Sequence, residues 1–379
     1  MKKGLFIAFE FSYNENIDKI SGIEKKIYFQ VQTFIKYGYK MDFYNPYVNR
    51  RHNVEKYLRR LPFHYLLKWE FNYNKTNEYD FIYIRKQWFM DGDLIKFLKN
   101  VKKVNPSIKI LMEVPTYPYD SEGKKWDMIP LKIKDKKWRK QLYKYVDRIV
   151  TYSDDSSIFN IPTICIPNAI DYNTYKRNCV MRNTPDVVNI IACASLYYWH
   201  GYDRAIEGLY HYFYDNTDDK QQVHLFIVGD GTEYEKYKKK IIDYKLEKYV
   251  TLAGPCYGHE LDRIYDKCVI GLDSMGRHRS GVYYNSSLKG KEYCAKGLII
   301  VSGVKTEFDL ISDYPYYYRI PADDTPIDFY SIIRFYKELL GGETIEKIQN
   351  NIMEYAKEHY DFEIALKSVQ EYLRERDRL

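Results

Sequence analysis

The chain has 379 residues, 45% of them hydrophobic and 29% charged. It is too long for one ordinary core, too polar for a protein embedded in a bilayer and too apolar for a disordered one, so two soluble globular domains are expected. The net charge of +7 is mild; it suits anionic partners, but with no recognised binding module beside it nucleic acid is not expected.

Met1 to Glu10 carries a basic pair and a short apolar run that imitates a signal sequence. The run stops at Glu10 without a small-residue cleavage site, so it reads as a first buried strand, residues 5–9. No apolar run in the sequence approaches the ~20 residues of a membrane span. Ile27, Val31 and Phe34 share one face of a helix that Gly38 stops. Residues 41–44, 81–84, 108–114 and 149–152 are further strands, and Trp138, Leu142, Tyr145 and Ile149 keep helical spacing just before the last of them. Asp91-Gly-Asp93 has the acid-x-acid spacing of some metal sites, but it opens a helix after a strand, where an N-cap aspartate needs no metal. No metal site is expected.

The polar run 171–186 interrupts the apolar pattern and marks a linker. A second series of strands follows at 188–194, 224–228, 250–252, 269–272 and 298–301, and then a helical tail from about 327 to 376. Repeated β-then-α units imply doubly wound parallel sheets. Six scattered cysteines with no C-x-x-C suggest reduced thiols in a cytoplasmic protein. With 42 tyrosines in the chain, no single one can be singled out as a sugar platform.

The segment from Asn285 to Ser302 is the most informative. Ser286 or Ser287 caps a short helix, Gly297 sits just past its end, and residues 298–301 form a core strand. The helix therefore starts near the carboxyl end of the preceding strand, where open α/β sheets bind ligands. Free amides and the helix dipole there favour a phosphate, and Lys289 adds a mobile charge. Glu292, one turn further in, offers a carboxylate to ribose hydroxyls. A capped surface helix with a solvated Lys and Glu accounts for the same residues. The loop Met275-Gly-Arg-His-Arg-Ser-Gly281 suits a diphosphate through paired arginine donors, with a basic surface loop as the alternative. Gly229-Asp-Gly-Thr-Glu-Tyr234 begins like a dinucleotide fingerprint, but Tyr234 takes the place of its third glycine, which argues against a dehydrogenase.

Between Lys124 and Arg148 lie ten basic and three acidic residues, interleaved with Trp126, Met128, Ile129, Leu131 and Trp138. Such a stretch fits an anionic membrane surface or a solvated helix face. Arg50, Arg51, Lys56, Arg59 and Arg60 form a second basic group.

Leu288-Lys289-x-x-Glu292-Tyr293-x-Ala295-x-Gly297 resembles the donor-binding signature of retaining glycosyltransferases with the GT-B fold, family 4, of the type that builds bacterial surface polysaccharides. Trp199-His-Gly-Tyr-Asp-Arg204, Ile227-Val-Gly-Asp-Gly231, Ile166-Pro-Asn-Ala-Ile-Asp171, Gly22-Ile-Glu-Lys25 and Glu113-Val-Pro-Thr-Tyr-Pro-Tyr-Asp120 are similar to further segments of that family, in the same order. The resemblance implies two Rossmann-like domains facing each other across a cleft. Residues 1–172 would hold the acceptor and 187–360 the nucleotide-sugar donor, while 361–379 would form a helix packing back on the first domain. It implies transfer of a sugar, with retention, from a UDP- or GDP-linked donor to a glycan or lipid-linked oligosaccharide. The donor is a co-substrate, and no separate cofactor is implied. Lys289, Arg279 and His200 would serve the diphosphate; Glu292, Ser287, Leu288, Gly229, Gly231 and Gly22 would line the nucleotide. The protein would be cytoplasmic, held peripherally on the inner face of the membrane. Two positions depart from the family pattern: His200 stands where many members have a lysine, and Tyr284 where they have the first of two glutamates. Two rival readings stand beside the transferase: a catalytically silent homologue that binds sugar nucleotide or partners an active transferase, which Tyr284 favours, and a nucleotide-sugar epimerase, which shares the fold.

Overall fold

The computed structural model describes residues 2–9, 13, 22–46, 61, 70–120, 128–175, 177, 180–182, 184–215 and 220–375. Glu10, the basic group from Arg50 to Arg60, Lys124, Lys125, Trp126, Cys179 and Arg376 lie outside them. The chain forms two compact units, Met1–Ile166 with Phe362–Leu379, and Pro167–Asp361.

The first unit is built on strands β1 (Lys3–Ile7), β2 (Lys40–Tyr44), β3 (Phe81–Arg85), β4 (Lys109–Val114), β5 (Arg148–Thr151), β6 (Ser157–Ile158) and β7 (Ile161–Cys165). They line up in the order β2-β1-β3-β4-β5-β7-β6. All pairs are parallel except the short β6–β7 ladder. β3 is buried along its whole length, as expected for a parallel strand covered on both faces. Helix α1 (Gly22–Lys36) buries Ile27, Val31 and Phe34. Gly38, at φ 89°, turns the chain into β2 without a Cβ penalty. Helices α2 (Gly92–Val104) and α3 (Ile129–Arg139) follow β3 and β4. Asp91 is the N-cap of α2, its side chain accepting from Leu94 N at 2.9 Å.

The helical spacing from Trp138 to Ile149 does not become one helix. α3 ends at Arg139, a short 3₁₀ turn covers Leu142–Lys144, and Ile149 lies in β5. The sheet overrides the periodicity here, because β5 completes ladders with both β4 and β7. The stretch Phe362–Arg374 belongs to this unit: Lys36 pairs with Glu363 at 2.5 Å and Lys109 Nζ donates to Tyr372 O at 3.0 Å.

The second unit carries β8 (Val187–Cys193), β9 (Gln222–Val228), β10 (Val250–Gly254), β11 (Ile270–Leu272), β12 (Ile299–Ser302) and β13 (Tyr317–Arg319). Their order is β10-β9-β8-β11-β12-β13, every pair parallel. Numbered within the unit this is 3-2-1-4-5-6, the Rossmann order, and the switch point lies between β8 and β11. In chain order its helices are α4 (Tyr172–Tyr175), α5 (Tyr202–Tyr214), α6 (Tyr234–Asp243), α7 (Gly258–Tyr265), α8 (Leu288–Ala295), α9 (Phe329–Gly342) and α10 (Ile345–His359). The helical tail is divided into several helices: Thr344 caps α10 directly after the Gly341-Gly342 end of α9. The polar run 171–186 lies within this unit, with Met181 N bonded to Gln349 Oε1 at 2.7 Å.

Each unit has its own apolar core, and no described helix is long and apolar enough to cross a membrane. The described cysteines are all free, and Cys256, Cys268 and Cys294 are buried.

Candidate functional site

The site grows from the carboxyl ends of β8 and β11. α8 is anchored there by Tyr293, which accepts from Cys193 N at 3.0 Å and donates to Leu272 O at 3.1 Å. Gly271 makes room for that ring, since a Cβ there would stand 2.5 Å from it. The helix start is defined by Ser287, whose Oγ accepts from Gly290 N at 3.0 Å. The loop before it is tied down too: Asn168 N donates to Ser286 Oγ at 2.9 Å, and Ser286 Oγ to Glu307 Oε1 at 3.2 Å. On the buried side Lys291 pairs with Glu307, and burial lowers its pKa to about 7.

Lys289 occupies the second helical position, with its side chain 15% exposed. Its Nζ lies 3.1 Å from Ser274 Oγ, 3.4 Å from His200 Nδ1 and 3.4 Å from Asp273 Oδ1. Burial depresses its pKa, and Asp273 opposes that shift. His200 is buried on a 3₁₀ turn after β8, its Nδ1 3.2 Å from Ser274 Oγ. Burial, with help from Lys289 and Arg277, holds its imidazole far below the ordinary value, so it is neutral at physiological pH. The ammonium, the neutral imidazole, the Ser274 hydroxyl and the first amides of α8 together present donors to an anion.

The loops that carry these groups pack backbone to backbone. Gly201 has φ +66°, and a Cβ on it would fall 2.6 Å from Gly276 N. Met275 N donates to His200 O at 2.7 Å. Gly229 and Gly231 play the same part under the other flank, where a Cβ would meet Ala194 O at 1.8 Å or Leu196 O at 2.4 Å. Their absent side chains let the turn after β9 approach the loop after β8.

Lys289, His200, Ser287 and Leu288 are therefore gathered at one point, with Glu292 half-buried one turn along α8. Burial first, and the Glu292 charge second, push the nearby Cys193 thiol up to about 12. Arg279 is placed differently. Its guanidinium grips Asp203 at 2.8 and 2.9 Å, Asp324 at 2.6 Å and Tyr198 O at 3.0 Å, pinning its loop to the segment around His200. Gly22 opens α1 in the first unit, exposed to solvent. Tyr284 pairs by backbone with Lys305, whose Nζ stands 6.0 Å from its ring centroid.

Sequence reading missed Asp273 and Ser274. Their signal was positional, since they are the first two residues after β11, at the end of the sheet where ligands bind.

No family model matches the sequence, and no curated protein matches it. Solved structures do resemble the fold. A glycosyltransferase from Rickettsia africae has a TM-score of 0.64 at 11% identity, covering 98% of each chain. Anabaena HepE in complex with UDP gives 0.62 at 13%, covering 98% of this chain and 99% of the other. Sucrose-phosphate synthase from Thermosynechococcus elongatus gives 0.62 at 14%, with 98% of each chain covered. At such identities the likeness establishes the fold: two parallel-sheet α/β units of the GT-B class.

Proposed function

We propose that this chain is a GT-B glycosyltransferase that moves a sugar from a UDP- or GDP-linked donor to a hydroxyl of a glycan or lipid-linked oligosaccharide in the cytoplasm, with retention of configuration. The observation that carries the reading is the convergence of Lys289, His200 and Ser274 on the start of α8, at the switch point of a Rossmann-ordered sheet. UDP bound to Anabaena HepE, a protein of the same fold, supports it.

Breaking the donor's glycosidic bond leaves negative charge on the diphosphate. Lys289 and the α8 amides stabilise that charge; because they are held in place beforehand, little reorganisation is needed. The neutral His200 donates a hydrogen bond and not a charge. Arg279 contributes through its grip on Asp203 and the Tyr198 carbonyl, which holds the His200 loop in place. Glu292 accepts from ribose hydroxyls. The departing phosphate takes the acceptor proton, so no protein base is needed.

Calorimetry with UDP, GDP and their sugar conjugates, followed by transfer assays with NMR assignment of the product anomer, tests this. The correct donor at about 100 times its dissociation constant also adds about 2.7 kcal/mol of thermal stability. If no nucleoside diphosphate binds, the reading falls; an inverted product removes only the retention.

A further inference from the structure

Asp273 is a buried carboxylate that the chemistry above leaves without a role. It is the first residue after β11 and 1% exposed. Its backbone N donates to Val301 O at 2.9 Å, which extends the sheet. Its side chain is thinly bonded. Oδ2 accepts from Ser302 Oγ at 3.4 Å, and Oδ1 faces Lys289 Nζ at 3.4 Å, with no shorter hydrogen bond to either oxygen among the described residues. A buried charge with so few hydrogen bonds costs stability unless a cation answers it. The Asp273 charge reaches both lysines of α8, but Lys291 has Glu307 for its ion-pair partner. Asp273 therefore answers Lys289.

We propose that Asp273 is a positioning residue of the donor site: it keeps the Lys289 ammonium charged and in place while the site is empty, and yields it to the diphosphate. The proposal rests on the donor-site reading given above. The other groups around the ammonium do not do this. Burial and the Arg277 guanidinium, in the loop after β11, disfavour its charge, while Asp273 does most to favour it. His200, on the turn after β8, is neutral, and Ser274 offers a hydroxyl. Cys193, at the end of β8, keeps its proton, its thiol pushed up to about 12. At 3.4 Å the ion pair is longer than a charge-assisted hydrogen bond, so phosphate oxygens compete with it successfully. When the nucleoside diphosphate leaves, the carboxylate takes the ammonium back.

Calorimetry of the full chain with UDP and with GDP, from about pH 7 to about pH 10, tests this; over that range the diphosphate is fully ionised. An ammonium attracts phosphate only while protonated. Wild-type affinity is therefore full below the Lys289 pKa and falls as pH rises through it. Asp273→Asn keeps the size of the side chain and removes its charge, so the falling limb is expected to move down by about one to three pH units. Below the limb the variant is expected to bind more tightly than wild type, because the ammonium is no longer shared. Asp273→Ser, which removes the charge without adding bulk, is expected to shift the limb in the same direction. In a Lys289→Met background the limb is lost and Asp273→Asn moves nothing.

Weaker binding at every pH with the limb unmoved would assign Asp273 to folding and overturn the proposal. A limb that survives Lys289→Met would overturn it too. If wild type binds neither UDP nor GDP, the donor-site reading falls and this proposal with it. An unmoved limb beside normal wild-type binding overturns this proposal alone.

Discussion

The carboxyl edges of the two sheets both hold a buried cluster of charges, but the clusters are built to opposite plans. In the first unit Glu113, wholly buried, is saturated. It takes Gln30 Nε2 at 2.7 Å and Tyr83 OH at 2.8 Å, pairs with Arg85, and has Lys26 at 3.5 Å. Lys26 lies in turn 3.7 Å from the centroid of the Tyr152 ring. In the second unit Lys289 has three contacts of 3.1 to 3.4 Å and a neutral histidine beside it. A charge that is fully compensated by its own chain is an element of folding. A partly compensated one, next to free helix amides, has free energy left over for a ligand.

The sharpest test of that contrast is to remove each centre. Glu113→Ala leaves Lys26 and Arg85 buried without their common partner, so it is expected to cost about 3–5 kcal/mol in urea unfolding. Nucleotide affinity of the folded fraction stays at the wild-type level. A loss below about 1 kcal/mol would mean that the cluster is not the closed network its geometry describes.

The second test is pH. Burial alone would raise the Glu113 pKa, but Lys26 and Arg85 outweigh it and hold it at about 2, against an ordinary 4.5. A depressed carboxyl stabilises the fold above its unfolded pKa and loses that contribution as pH falls through the folded value. Stability should therefore drop between pH 4.5 and 2, by an amount on the order of 3 kcal/mol, and Glu113→Gln should flatten that limb. An unchanged acid limb in the variant assigns acid unfolding to other carboxyls.

The third test is Lys289→Met. Losing one charge-assisted contact costs ~1.5–3 kcal/mol of nucleoside diphosphate affinity, while the nucleoside alone binds as before. Its effect on stability should be smaller than that of Glu113→Ala, because Lys289 already carries a desolvation cost that burial makes visible in its lowered pKa. Calorimetry and unfolding on the same samples separate the two. Equal loss of nucleoside and diphosphate binding would place Lys289 away from the phosphates.

The elements were legible where local signals agreed. Val31 and Phe34 on one helix face, Gly38 behind them, and the apolar run 298–301 all specify themselves by periodicity and turn chemistry. Legibility failed where neighbours in space decide. The residues 142–149 keep helical spacing, yet the sheet takes Ile149 into β5. β13 has three residues, too few for any period to show, and exists because it pairs with β12.

By itself the sequence determined two α/β halves, a serine cap at 286 or 287 and the positions of Lys289 and Glu292 on one short helix, because all of these follow from spacing along the chain; the structure chose Ser287. The tertiary structure decided which cations remain open. Arg279 and Lys289 look equally suited to a phosphate in the sequence, but Asp203 and Asp324 close on the guanidinium, while the ammonium keeps one hydrogen bond, to Ser274, and two longer contacts. It likewise exposed Ile133 and tucked Trp138 inward. Whether a charge or an apolar side chain is compensated depends on groups tens to hundreds of residues away in sequence, which only folding brings within reach.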